Sequence, residues 1–277
     1  MKHSRLRLRA PASAILAAAI LAAAGSGGCA SLRQFLGATL VPVQTEIDLG
    51  RRLAAKVEAE HRVLQDRQVQ RYVRFLAKPL IEQAWRDRPG IDYRVTVLDD
   101  PGQVNAFALP GGPTYVFTGL MLLAGDESEL ASVLAHELGH VVARHSAEQL
   151  ASRWGIQMLT SIALGEDPEA LAAVFADFGA GGAMARFSRE DELEADDLGL
   201  RYITAAGYDP RGMVRMFQGL QSVEGGSSGS LGGLLATHPA TAERIERLQR
   251  RIDRMGGDLP QRRQGPRYRE ITASLRQ

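Results

Sequence analysis

His136-Glu137-Leu138-Gly139-His140 is the stretch on which the reading of this chain turns. Its two histidines are four residues apart. On an α-helix that spacing is about 400° of rotation and roughly 6 Å of rise, so both imidazoles leave one face, one turn apart. Zinc asks for this arrangement, because two ring nitrogens must reach one ion at about 2.0–2.1 Å. Glu137, beside the first histidine, can reach a water acidified by that ion and act as general base for attack on a carbonyl. The flanks read as helix. Ser128 is placed to cap it, Glu127 and Glu129 suit the positive end of its dipole, and Leu130, Val133, Leu134, Leu138, Val141 and Val142 recur at helical spacing. His136 and His140 are therefore candidate ligands of one zinc ion per chain.

Zinc needs a third protein ligand. The single cysteine, Cys29, lies far upstream, which excludes a cysteine zinc site and an internal disulfide framework. The acidic run from Ser188 to Asp197 is the remaining source. Glu192 and Asp196 are four apart and share a helix face. One can bind the metal while the other accepts the N–H of a ligating histidine. Glu194 points away from both, and Glu190 and Glu194 stay open as competing ligands on geometry alone.

The chain has 277 residues, 45% hydrophobic and 23% charged, which is enough for one sizeable core. The formal charge of +1, with no stripe of basic and aromatic residues, gives nothing that calls for nucleic acid. Lys2, Arg5, Arg7 and Arg9 precede an uncharged, Ala-rich stretch from Ala10 to Gly28, so residues 1–28 read as a signal peptide, with an uncleaved anchor as the alternative. Cys29 follows Gly27-Gly28 and resembles the acylated cysteine of bacterial lipoproteins, although Ser26 stands where leucine is usual and Ala22-x-Ala24 could serve ordinary cleavage. Removing residues 1–28 takes the net charge from +1 to −3.

Residues 29–44 read as a tether, followed by two helices over 45–86, the second broken at Pro79. Tyr93 to Leu98 alternates like a strand. Two apolar runs then flank Pro110-Gly111-Gly112-Pro113, which predicts a hairpin whose prolines keep a strand at the sheet edge. An edge beside a metal helix could take a peptide as a further strand, which makes Asn105, Ala106 and Phe107 a candidate substrate strand. Trp154 to Phe178 is apolar but interrupted at Gly165 and Pro168, and suits either a lid or a buried helical pair. Gly179, Gly181 and Gly182 read as a flexible joint, and Gly225 to Gly233 as a mobile loop. A helix is expected from residue 211 to about 223, and another over 240–255. His238, just before the latter, reads by itself as a surface or capping residue. Residues 257–277 read as a loose, polar basic tail.

Taken together, Asn105-Ala-Phe-Ala-Leu-Pro-Gly-Gly, His136-Glu-Leu-Gly-His140, Ser188-Arg with Glu192-Leu-Glu-Ala-Asp196, Ala206-Gly-Tyr-Asp-Pro210 and His238-Pro with Arg244-Ile245 resemble peptidase family M48. The resemblance covers roughly residues 45–255. It implies an α+β fold, mostly helical, with a zincin (gluzincin-type) core and a small β-sheet, in a metallopeptidase domain of residues 45–256. It also implies that His136, His140 and Glu192 bind zinc, that Glu137 is the catalytic base, and that Asp196 is the partner of a zinc histidine. His238 gains a role by the same resemblance, either as donor to the oxyanion or in the fourth zinc position of a resting state. No candidate membrane span follows residue 29, so the chain looks most like the short, periplasmic LoiP/BepA-like type. The expectation is a zinc endopeptidase of the bacterial envelope, held in the periplasm as an outer-membrane lipoprotein through Cys29 and acting on misfolded or unassembled polypeptides. The competing expectation is a holdase or assembly factor that uses the same cleft with proteolysis silenced. A metal store is disfavoured, since one site in 277 residues stores little.

Overall fold

The computed structural model describes residues 41–176, 186–224, 233–262 and 266–276. The expected signal peptide, the lipidation site Cys29, the glycine joint at 179–182 and the loop over 225–232 lie outside these residues. Two helices open the fold, α1 (Val43–Glu60) and α2 (Arg67–Asp87). A sheet of β1 (Arg94–Leu98), β2 (Ala106–Ala108) and β3 (Pro113–Phe117) follows, then α3 (Thr118–Leu123) and the metal-motif helix α4 (Glu127–Ala143). Next come α5 (His145–Trp154), α6 (Ile156–Leu164) and α7 (Pro168–Ala176). The acidic helix α8 (Arg189–Ala205), α9 (Arg211–Glu224), α10 (Gly233–Thr237), α11 (Ala242–Met255) and α12 (Pro266–Ser274) complete it. The mostly helical α+β expectation with a small sheet is met. Among the described residues no helix is long and apolar enough to cross a membrane.

The sheet order is β1-β3-β2, with β1 parallel and β2 antiparallel to β3. Alternation along the strands sorts their side chains onto two cores. Val95, Val97, Ala106 and Val116 face one built from α2, α4, α8, α9 and α11. Phe107, Tyr115 and Phe117 face another built from α1, α5, α6 and α7. From Trp154 to Ala176 the chain is thus a helical pair that packs one apolar face on α1, with Leu159, Ile162, Val174 and Phe175 buried there. Gly111, at φ +73°, lets the hairpin turn press on α1, where a Cβ would stand 2.6 Å from Ile47 Cα.

Several local expectations are corrected. Pro79 does not break α2: the carbonyl it leaves without a partner belongs to Phe75, which is 64% exposed, while Leu76, Leu80 and Ala84 hold the opposite face in the core. The cap of α4 is Asp126, which accepts from the Glu129 N–H at 3.0 Å, and Ser128 instead donates to that carboxylate at 2.6 Å. The proline-bearing strand β3 is central, which is tolerated because Pro113 is its first residue, and β1 and β2 are the edges. The expected tether ends early, because Val41 is buried and α1 begins at Val43. The expected loose tail instead pairs Arg262 with Tyr208 and buries Tyr268, whose hydroxyl donates to the Met121 and Ala124 carbonyls.

Two glycines set how closely α4 and α8 approach. A Cβ on Gly139 would lie 2.9 Å from the Ala195 carbonyl oxygen, and one on Gly199 would lie 3.1 Å from the His136 nitrogen. Replacing Gly139 by leucine should push the helices apart and cost roughly 1–3 kcal/mol in chemical denaturation. Gly219 in α9 has nothing within 4 Å of such a Cβ, so Gly219→Ala should instead stabilise by roughly 0.5–1 kcal/mol.

Candidate active site

The close crossing lays the acidic helix over the metal-motif helix. Helix α8 starts at Ser188 with a capping box: the Ser188 hydroxyl accepts from the Asp191 N–H and the Asp191 carboxylate from the Ser188 N–H. One turn further on, Glu192 reaches His136 Nε2 and His140 Nε2, each at 3.5 Å. These two ring nitrogens are 3.1 Å apart. His238, which follows α10, brings its Nδ1 to 2.7 Å from Glu192 Oε1 and 3.4 Å from His136 Nε2. Its Nε2 is 3.6 Å from Glu137 Oε1. All five side chains are buried.

The donor set fits a zinc-sized cation. Four ligands at 2.0–2.1 Å from a tetrahedral ion stand about 3.4 Å from one another. The donors of His136, His140, Glu192 and His238 all lie within 4.8 Å of one another, and most of the measured pairs fall between 3.1 and 3.5 Å. Three imidazole nitrogens and a carboxylate that converge on one point cannot all satisfy each other by hydrogen bonds, and a divalent cation satisfies them together.

The outer contacts hold these groups in place. Asp196 Oδ1 lies 3.1 Å from His136 Nδ1, the nitrogen that faces away from the cluster. Arg244 grips Asp196 with two hydrogen bonds of 2.8 and 2.7 Å and reaches Glu192 Oε2 at 2.6 Å. His140 turns its own outward nitrogen to His145, with the two Nδ1 atoms 2.9 Å apart. Phe187 stacks on the His140 ring with centroids 4.2 Å apart. An open cavity of about 240 Å³, lined by Phe187, Glu192, Pro239 and Arg244 among others, adjoins the cluster.

Burial and neighbours pull the titrating groups in opposite directions. Burial would depress His136, but its bonds to Asp196 and Glu192 outweigh that and raise it to about 9. Burial dominates at His140, which falls well below the usual imidazole range. Burial also raises Glu137 above the usual carboxylate range, against the pull of His238 and His136. Burial works against ionising Glu192 and Asp196 as well, yet the imidazoles around the first and Arg244 beside the second hold both below that range.

The sheet edge runs beside Glu137. Hydrogen bonds from Leu109 N–H to the Pro113 carbonyl and from Phe117 N–H to the Asn105 carbonyl fix the register of β2 on β3. The backbone groups of Asn105 and Phe107 therefore turn toward β3, and those of Ala106 and Ala108 turn away from it. The Ala108 backbone bonds the Glu137 carboxylate, and its carbonyl accepts from the Ser146 hydroxyl at 3.4 Å. Of Asn105, Ala106 and Phe107, only Ala106 turns its backbone away from β3, and it is wholly buried, with the Leu234 N–H of α10 donating to the neighbouring Val104 carbonyl.

His136, Glu137, His140, Glu192, Asp196 and His238 thus meet in one place, and among the acidic residues of α8 it is Glu192 whose carboxylate lies within the donor cluster. Glu190 and Glu194 are largely exposed, and Glu194 contacts His145 at 3.4 Å instead of the cluster. Residue spacing does not point to Arg244, His145 or Phe187 as parts of the site. Arg244 does leave a signal, since it stands four residues before Leu248 on the buried stripe of α11, where a charge needs a partner.

The model of peptidase family M48 matches residues 64–252, more than half of the 277-residue chain. The mitochondrial metalloendopeptidase OMA1 of Arabidopsis thaliana is 36% identical over 163 residues, which cover 57% of this chain and 31% of that protein. The metalloprotease YcaL of Escherichia coli is 32% identical over 165 residues, covering 58% of this chain and 62% of the relative. The β-barrel assembly-enhancing protease of Yersinia pestis is 30% identical over 230 residues, covering 79% and 46%. The matched regions span only about a third to a half of the length of the OMA1 proteins. With its metal-motif helix, its carboxylates on α8 and His238 inside the matched stretch, this chain belongs to peptidase family M48.

Proposed function

We propose that this chain is a zinc-dependent endopeptidase of the bacterial cell envelope that cleaves misfolded or unassembled proteins. The observation that carries the reading is the convergence of His136, His140, Glu192 and His238 on one point with the carboxylate of Glu137 beside it. When bound there, zinc supplies Lewis acidity that activates a water and polarises the scissile carbonyl. His136, His140 and Glu192 hold it, and Asp196 keeps His136 in the tautomer that presents Nε2. Glu137 takes the proton of the attacking water on Oε1, which is buried without a hydrogen-bond partner, and passes it to the leaving amine. Burial raises its proton affinity, which suits a group that must first accept and then release a proton.

The substrate is an extended polypeptide that pairs by its backbone alongside β2, whose buried Ala106 must first be uncovered. Backbone pairing demands no sequence, which suits unfolded chains as targets. The names of the relatives, a β-barrel assembly-enhancing protease and a mitochondrial metalloendopeptidase, agree with this class. The envelope location rests on residues 1–29, with the periplasm as compartment and an acylated Cys29 as the outer-membrane anchor.

His238 takes the fourth position of the donor set, so its role is to close the resting site. His238→Ala should retain zinc and raise basal cleavage of an unfolded substrate such as casein. A fall to background would instead assign His238 to the transition state. Glu137→Gln should keep zinc and lose roughly 10²–10⁴-fold in cleavage. Undiminished cleavage by a zinc-loaded Glu137→Gln protein would remove Glu137 as base, and no chelator-sensitive cleavage by the wild type would favour the holdase. Arg244→Leu leaves two buried carboxylates without their cation and should cost about 3–5 kcal/mol by denaturant titration, with Arg244→Lys intermediate.

A further inference from the structure

On an uninterrupted helix, His145 would point roughly 140° away from His140, because five residues make about 500° of rotation. The chain prevents this. Arg144, between α4 and α5, sits in the left-handed region at φ 67°, the only non-glycine residue with positive φ among those described. Such a conformation is strained for a residue with a Cβ and persists only where its surroundings hold it. They do so here. The Arg144 guanidinium bonds the buried Glu46 at 3.0 Å and the Val41 carbonyl at 2.5 Å. The turn folds His145 back beneath His140, where it is buried with Nδ1 facing Nδ1 at 2.9 Å.

Two ring nitrogens at that distance need one proton between them. His140 presents Nε2 to the donor cluster, so its Nδ1 carries the hydrogen and donates. His145 Nδ1 is then the acceptor, and its own hydrogen sits on Nε2. That nitrogen faces Glu194 Oε2 at 3.4 Å and Asp191 Oδ1 at 3.6 Å, both of them acceptors on α8. Every polar atom along the line from His140 through His145 to α8 is matched in this one tautomer.

We infer that His145 is a positioning residue for metal binding, which fixes the tautomer and ring orientation of His140 as Asp196 fixes those of His136. The inference rests on the zinc reading above. It makes the two histidines unequal, since His136 leans on an ionised carboxylate and His140 on a neutral imidazole. An imidazole acceptor draws less proton density from its donor than a carboxylate does, so His140 is the weaker and more easily displaced ligand.

The test compares zinc affinity, by competition with a chromophoric chelator, for the wild type, His145→Phe and His145→Asn. Phenylalanine keeps the ring and removes the acceptor. Asparagine places Oδ1 about where Nδ1 stands. Affinity should fall roughly 10–100-fold in His145→Phe and be largely restored in His145→Asn. Nitrogen NMR of the zinc-loaded wild type should show hydrogen on Nδ1 of His140 and on Nε2 of His145, and this readout decides the matter should the phenylalanine variant fail to fold. Zinc binding by His145→Phe as tight as that of the wild type, or a hydrogen on Nδ1 of His145, overturns the inference alone. A wild type that takes up no zinc overturns the zinc reading and the inference with it.

Discussion

The whole site depends on how near two helices can come. At the crossing of α4 and α8, hydrogen atoms stand where side chains would be, at Gly139 against the Ala195 carbonyl and at Gly199 against the His136 backbone. Backbones this close let carboxylates as short as those of Glu192 and Asp196 reach ring nitrogens on the neighbouring helix without long, floppy linkers. Few rotatable bonds separate donor from backbone, so little side-chain entropy is lost when the donors are gathered.

Gathering these groups carries an electrostatic cost. Glu192 and Asp196 are almost wholly buried, and desolvation by itself would neutralise both. Arg244 answers this by reaching both carboxylates from α11 with a fork that a lysine cannot copy. It is buried as well and packs its guanidinium over Phe217, 4.7 Å from the ring centroid. The charges of the site are therefore tied to a third helix. A comparable hub sits on the other side of α4, where Glu46 accepts from Arg88, Arg144 and the Gly111 N–H and so joins α1, α2, the hairpin turn and the end of the metal-motif helix. Ion pairs of this kind add little net stability, but they fix one arrangement among many, and a site made of five converging side chains needs that.

What could be read from residue types alone follows the same physics. Periodicity and spacing carry through one helix, so His136, Glu137 and His140 were legible, and so was the pairing of Glu192 with Asp196 along α8. Which acidic residue faces the histidines was open until the crossing geometry was known, because spacing within one helix says nothing of its roll against another. His145 was illegible for a different reason. Its place depends on a left-handed turn at Arg144, and arginine carries none of the marks of such a turn that glycine or asparagine would. Pro79 misled in the opposite sense, since a proline on the solvent side of a long amphipathic helix frees only a carbonyl that water can serve. The C-terminal stretch looked polar because the face it buries is narrow, carried by Tyr268, Ile271 and Thr272 between exposed polar neighbours.

Glu137 does more than stand beside the histidines. Its carboxylate also holds the Ala108 backbone, on the side of β2 that faces away from β3. The edge strand and Glu137 are thus tied to each other through one hydrogen bond.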